Sequence, residues 1–315
     1  MGFFSGLIFS FSRLKQLYAC PRSYYYSHYG ANNGWRQDAP LRTKQIYKLK
    51  KLQSTYALVG ESLHSSAKEI ILNPNLNIVD FKKSTNRKIK DNYKKSLTQK
   101  DEWSENPRLF TMLSEIYYSN EVTLEMQQKV INKIDNCGNN LIKSRSYQEL
   151  VNNADIISLD DLAEVGFDTF KTSIRCDALY REGGRIIVVD WKTGNASEGD
   201  LEQVLLYVYF VSKLYNVPAE EIEARLEYLS DGDFAVYNFS RTDMECAEEI
   251  VRRGVDELQN CLANRAKNLP YPEVYFKQNI SSKCRYCNFK EICFNGGIPL
   301  IQFSEHPKDT DLVKV

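Results

Sequence analysis

The sequence predicts an α/β fold, and three observations predict it. Thr172–Asn195 alternates apolar and polar side chains, turns at Glu182–Gly184 and continues as an almost unbroken apolar run, Arg185–Trp191. That is the pattern of a hairpin with one buried strand. Glu198–Tyr215 then shows the periodicity of an amphipathic helix, and a long stretch before the hairpin is helical in pattern as well. The 315 residues are 43% hydrophobic and 26% charged, an ordinary globular balance that suits one large domain or two closely joined ones. A run of about 18 apolar residues, the signature of a membrane-spanning helix, is missing.

From the N-terminus, "GFFSGLIFSF" (Gly2–Phe11) reads as the first core strand of a cytoplasmic protein. It lacks the basic region and small-residue cleavage site of a secretory leader. Gly6 also stands where a myristoylation signal needs Ser or Thr. "VGESLHSSAKEIIL" (Val59–Leu72) reads as a helix with Gly60 at its start and His64 early in it. Residues 1–100 carry 18 Lys/Arg against 5 Asp/Glu and the remainder 23 against 36, so a net charge of zero hides a basic first third. In Lys82–Lys95 only Asp91 opposes the lysines, which suits a surface that tracks phosphates; a merely solvated helix face is the competing reading. Arg108–Ile134 reads as helical, with Leu109, Met112, Leu113, Ile116 and Tyr117 on one stripe. In the hairpin, Ile174, Cys176, Ala178 and Tyr180 fall on a buried face, with Arg175, Asp177 and Leu179 on the other.

Eight cysteines without a secretion signal argue against a disulfide framework. Cys137, Cys176, Cys246 and Cys261 are scattered in apolar or helical patterns and read as buried small hydrophobes. Cys284, Cys287 and Cys293 form a C-x2-C-x5-C knuckle of thiols that wants a fourth ligand. Cys20, in "LYACPRSYYY", is the best candidate, because Pro21 keeps it out of helical geometry. On the chain-entropy model a crosslink over so long a loop stabilises the fold by roughly 5 to 6 kcal/mol, so the metal would act as a staple between N- and C-terminal segments. Four thiolates suit zinc or a 4Fe–4S cluster. Zinc knuckles usually repeat a C-x2-C pair on both sides, and the lone Cys20 favours the cluster.

The buried strand ends in Asp190, Trp191, Lys192, which delivers a carboxylate and an amine to its tip without a packing reason. At i and i+2 the two point to the same side of the strand. Asp177, on the neighbouring strand, is a second carboxylate able to share a divalent cation. This combination suits phosphodiester hydrolysis: a metal lowers the pKa of bound water, and an ammonium adds positive charge where negative charge develops. A D-x-K tripeptide alone reads more readily as a structural ion pair. Gln203 and Tyr207 share a helix face at i, i+4. Of the three histidines, His28 and His306 read as structural.

In chain order, Cys20-Pro21, Gly60-x-x-x-His64, Asp177, Asp190-x-Lys192, Gln203-x-x-x-Tyr207 and Cys284/Cys287/Cys293 resemble the PD-(D/E)XK nuclease superfamily. More narrowly, the series resembles its iron–sulfur-stapled, RecB-like branch, which includes CRISPR-adaptation nucleases and the nuclease domains of helicase–nuclease complexes. Cys176 stands where many members have proline before the first carboxylate.

The resemblance implies a central mixed sheet flanked by helices, a restriction-endonuclease-like core. Residues 1–80 would supply its N-terminal part, with the first cluster cysteine. A helical insert would cover 81–161, the core and knuckle 162–297, and a tail 298–315. The resemblance further implies His64, Asp177 and Asp190 as ligands of Mg2+ or Mn2+, completed by the backbone carbonyl of Trp191. Lys192 would be the catalytic lysine, with Gln203 and Tyr207 orienting it or the nucleic-acid strand. The implied activity is a metal-dependent nuclease on single-stranded DNA or DNA ends, with a helicase or integrase as a further partner. A non-catalytic DNA- or partner-binding member, or an RNA- or structure-specific nuclease, would carry the same residues.

Overall fold

The computed structural model describes residues 6–118, 122–152, 154–167 and 170–294; the tail from residue 298, with His306, lies outside them. Two compact units form, each from three separated segments. The first takes Met1–Ser10, Tyr56–Ile89 and Thr123–Val255, and the second Phe11–Thr55, Lys90–Val122 and Asp256–Val315. The stretches 1–80, 81–161 and 162–297 therefore each contribute to both units.

The first unit is built on a five-stranded mixed sheet in the order Phe234–Asn238, Ile222–Tyr228, Arg185–Lys192, Ala178–Glu182, Asp155–Leu159. Arg185–Lys192 is its centre, antiparallel to Ala178–Glu182 and parallel to Ile222–Tyr228. Six consecutive residues of this strand, Ile186–Trp191, are buried, as the apolar run requires. Gly183 and Gly184 turn the hairpin with φ of 57° and 80°. Two successive positive φ values are what a two-residue hairpin loop needs and what side-chain-bearing residues resist. The turn fixes the register Ala178↔Val189, which carries Asp177 to the level of Asp190. Leu179 is buried along with Ala178 and Tyr180, so the one-sided alternation expected of this strand is absent. The reason is that helices cover both faces of the sheet. Ile187, Val189 and Trp191 join a cluster with residues of helices Thr55–Leu72, Leu124–Leu141 and Arg145–Val151, while helix Gly199–Tyr215 packs on Arg185–Lys192 and Ile222–Tyr228.

Other elements depart from the sequence reading for identifiable reasons. The N-terminal apolar stretch contributes a strand only at Ile8–Phe9, paired parallel with Lys171–Ile174; residues 2–5 lie outside the described residues. The helix carrying His64 begins at Thr55, four residues before the expected Val59. Its first N–H is taken by the Glu115 carboxylate at 3.0 and 3.2 Å, a cap supplied from sixty residues away. Arg108–Ile134 is not one helix. Met112–Leu113 pairs as a strand with Leu52–Gln53, and Ser114–Tyr117 is a single turn. Thr123 then starts a new helix, Leu124–Leu141, by accepting the Met126 N–H. Leu109 is exposed while Met112 and Leu113 are fully buried, which a shared helical stripe would not allow.

The second unit packs Tyr26, Ile46, Leu49, Leu52, Trp103, Met112, Phe289 and Ile292 into its own core. Of the scattered cysteines, Cys137 and Cys176 are buried as expected, but Cys246 is exposed and Cys261 half-buried. Helix Arg241–Asn260 turns Cys246 to its solvent side. Among the described residues, no helix is long and apolar enough to cross a membrane.

Candidate active site

Strand period, hairpin register and helix packing bring the predicted residues of the first unit together. Asp177 precedes one hairpin strand, and its N–H bonds the Val189 carbonyl. Asp190 and Lys192 alternate with Trp191 on the other strand, so they project opposite to the Trp191 face. The His64 helix brings Nδ1 to 2.9 Å from Asp177 Oδ1. The other oxygen of Asp177 accepts the backbone N–H of Trp191 at 2.6 Å. Lys192 Nζ lies 2.6 Å from Asp190 Oδ2 and donates to Gln203 Oε1 at 2.8 Å; Gln203 Nε2 in turn donates to the Tyr207 hydroxyl at 2.8 Å. The i, i+4 pair thus forms a relay that ends on the lysine.

The electrostatics are those of crowded carboxylates. Burial, then the charge of Asp177, pushes the Asp190 carboxyl up to about 6, against the pull of Lys192 and His64. Lys192 is shifted up: burial opposes its charge, but Asp190, Asp200 and Asp177 outweigh burial. His64 is raised for the same reason, burial being overcome by Asp177, Asp190 and Asp160. Tyr207 is held well above the usual phenol range by burial and then by Asp190, so it stays protonated and can donate.

His64 Nδ1 and Asp190 Oδ2 are buried without an aligned hydrogen bond; their close neighbours are ionic partners only. Buried polar atoms in that condition, one on an imidazole and one on a carboxylate, with the Asp177 carboxylate beside them, fit a hard divalent cation such as Mg2+ or Mn2+. Among the described residues, no three His, Cys, Asp or Glu side chains already stand around one point at coordinating distance. The donors are gathered but not preassembled.

The family comparison agrees with this chemistry. The profile of the PD-(D/E)XK nuclease superfamily matches residues 8–294. The chain belongs to that superfamily. Among solved structures, a Eubacterium rectale protein provisionally named an exonuclease is 10% identical, with 96% of each chain covered and a TM-score of 0.42. A second, SSO0001, is 20% identical over 58% of this chain and 80% of its own, with a TM-score of 0.30. None of the curated proteins compared matches the chain.

One residue of this candidate site was not singled out from the sequence. Asp200, 6% exposed, has an oxygen 3.5 Å from Lys192 Nζ and is held by the Ser197 N–H, the Ser197 hydroxyl and the Tyr228 hydroxyl. The signal was the Ser-x-x-Asp at the helix start, which reads locally as a cap.

The second unit brings Cys20, Cys284, Cys287 and Cys293 to the wall of one small cavity, with Tyr26 and Phe289. Cys20 is extended, with φ −162° and ψ 104°, as Pro21 requires. Burial pushes the Cys287 thiol up to about 11 and raises Cys293, with neighbouring cysteines adding to both shifts. Four thiols are a donor set of the kind a soft metal centre takes, but among the described residues no three of them stand around one point at coordinating distance.

Proposed function

We propose that this protein is a metal-dependent nuclease that hydrolyses phosphodiester bonds in single-stranded DNA or at DNA ends, and that it belongs to the RecB-like branch stapled by a 4Fe–4S cluster. The observation that supports the reading best is the meeting of His64, Asp177, Asp190 and Lys192 at the tip of one buried strand. His64, Asp177 and Asp190 would hold Mg2+ or Mn2+, with the Trp191 carbonyl beside them. Bound there, the cation supplies an acidified water and charge neutralisation at the phosphate. Lys192, kept charged by its carboxylates, meets the negative charge that develops on the phosphoryl oxygens. Gln203 fixes the ammonium's direction, and Tyr207 fixes Gln203. Cys20, Cys284, Cys287 and Cys293 would hold the cluster as a structural staple of the second unit.

The test is to incubate protein purified without oxygen with labelled single- and double-stranded DNA and RNA, in Mn2+, Mg2+ or EDTA. Cleavage of single-stranded DNA that needs the metal is expected. Binding without cleavage would make this a non-catalytic member, and preference for RNA would overturn the substrate assignment.

A further inference from the structure

Strand Ile222–Tyr228 carries Glu223, Arg225 and Glu227 at i, i+2 and i+4, a row on one face of the sheet. Spacing of this kind normally marks a solvated face, yet all three are buried, Arg225 to 1% exposure. Helix Arg145–Val151 closes over them. Arg225 donates to Glu223 at 2.7 Å, to Glu149 at 2.7 Å and to the Tyr180 hydroxyl at 2.9 Å. Glu227 uses both oxygens: Oε1 accepts the Ser146 hydroxyl at 2.7 Å and the Ser146 N–H at 3.1 Å, and Oε2 accepts the indole N–H of Trp191 at 2.7 Å. Apolar residues could fill this space at equal or better stability, because burying ions costs about as much as their pairing returns. What they could not supply is a directional bond to Trp191.

Trp191 is the residue between Asp190 and Lys192, and Glu227 is its register partner on the parallel strand. Its backbone N–H is bonded to Asp177 and its indole to Glu227, so the strand tip is held at two points. Rotation of the tip about the strand axis would swing Asp190 and Lys192 together, since both project to the opposite face. We infer that Glu227 is a positioning residue for the Asp190–Lys192 pair, acting through the Trp191 indole, with Ser146 fixing Glu227 and Arg225, bonded to the Ser146 hydroxyl at 3.3 Å and to Glu149, holding Ser146. The inference rests on the nuclease reading of the site.

The experiment uses the full chain and compares wild type with Trp191→Phe and Glu227→Gln. Mn2+ affinity is followed by the spin-resonance signal of the free ion, and cleavage of labelled single strands gives kcat and KM separately. Both variants should bind Mn2+ roughly tenfold more weakly and lose kcat by a similar factor, with KM nearly unchanged, as when an outer partner of a metal ligand is removed. If Trp191→Phe fails to fold, Ser146→Ala, which strips one donor from Glu227, should shift Mn2+ affinity in the same direction. Wild-type Mn2+ binding and kcat in folded variants, with only a lower melting temperature, would reduce the network to a structural role and overturn the inference. A wild type that neither binds Mn2+ nor cleaves overturns the nuclease reading, and this one with it.

Discussion

Lys192 sits among Asp190, Asp200 and Gln203, and a structural ion pair and a catalytic lysine predict opposite outcomes for its removal. Lys192→Ala should lower the cleavage rate about a hundredfold, on the order of 3 kcal/mol of transition-state stabilisation, beyond any metal-free stability lost with the ion partner of Asp190. Asp190 gives a second test through pH. Its folded pKa, about 6, lies above the ordinary carboxylate value, so the folded state binds more protons in that window. Stability of the metal-free protein therefore falls as pH rises from about 4 to about 6 and stays at the lower level above. Asp190→Asn should abolish cleavage and remove that fall, melting higher than wild type at pH 7 and close to it at pH 4. Variants that melt lower but cleave normally would favour the ion pair. D-x-K could be read from the sequence because strand period two is local. Asp200 and Glu227 could not: a Ser-x-x-Asp looks like any helix start, and the alternation in "IEARLEY" looks like a wet strand face, until helix Arg145–Val151 covers it.

Helix Ile78–Thr98 sorts the basic stretch by its own period. Lys82 is paired with Asp135 at 2.9 Å and Lys88 with Glu69 at 2.8 Å, both on the inner side. Lys83, Arg87, Lys90 and Lys94 are exposed, and their spacing of four, three and four places them on one stripe. If this stripe tracks a single strand, changing all four to alanine should flatten the salt dependence of DNA binding by up to about three units, near 0.7 for each phosphate no longer neutralised. Lys82→Ala with Lys88→Ala should lower the melting temperature and leave the slope unchanged. Equal slopes in wild type and the four-fold variant would return the helix to a solvated face. Charge density was visible in the sequence, but which lysines are spent inward depended on acidic partners brought in from other helices.

At the scale of the whole molecule, neither unit is continuous in sequence, which linear reading could not anticipate. The second unit joins its N- and C-terminal segments through hydrogen bonds and ion pairs as well as thiols. Glu273 takes Arg22 at 3.0 Å, Arg42 at 2.9 Å and the Tyr26 hydroxyl at 2.8 Å; Asn279 donates to the Ala19 carbonyl and Asn288 to the Leu52 carbonyl. The four cysteines lie in the same seam. A cluster there should add to these bonds and not replace them, so its loss should weaken the second unit without unfolding the chain outright. Protein prepared without oxygen should be brown and hold about four irons per chain. Cys20→Ser should lower iron content and melting temperature together. Cys246→Ser is the proper control, because Cys246 is exposed. Cys137 lies in the core of the first unit, where a serine hydroxyl costs on the order of 1–3 kcal/mol regardless of any cluster. Because burial holds Cys287 and Cys293 protonated when no metal is bound, ligation must displace protons, and iron retention should fall as the solution is acidified. Zinc in place of iron and sulfide, at one ion per chain, would keep the staple but sink the cluster. Wild-type melting in Cys20→Ser would sink the staple itself.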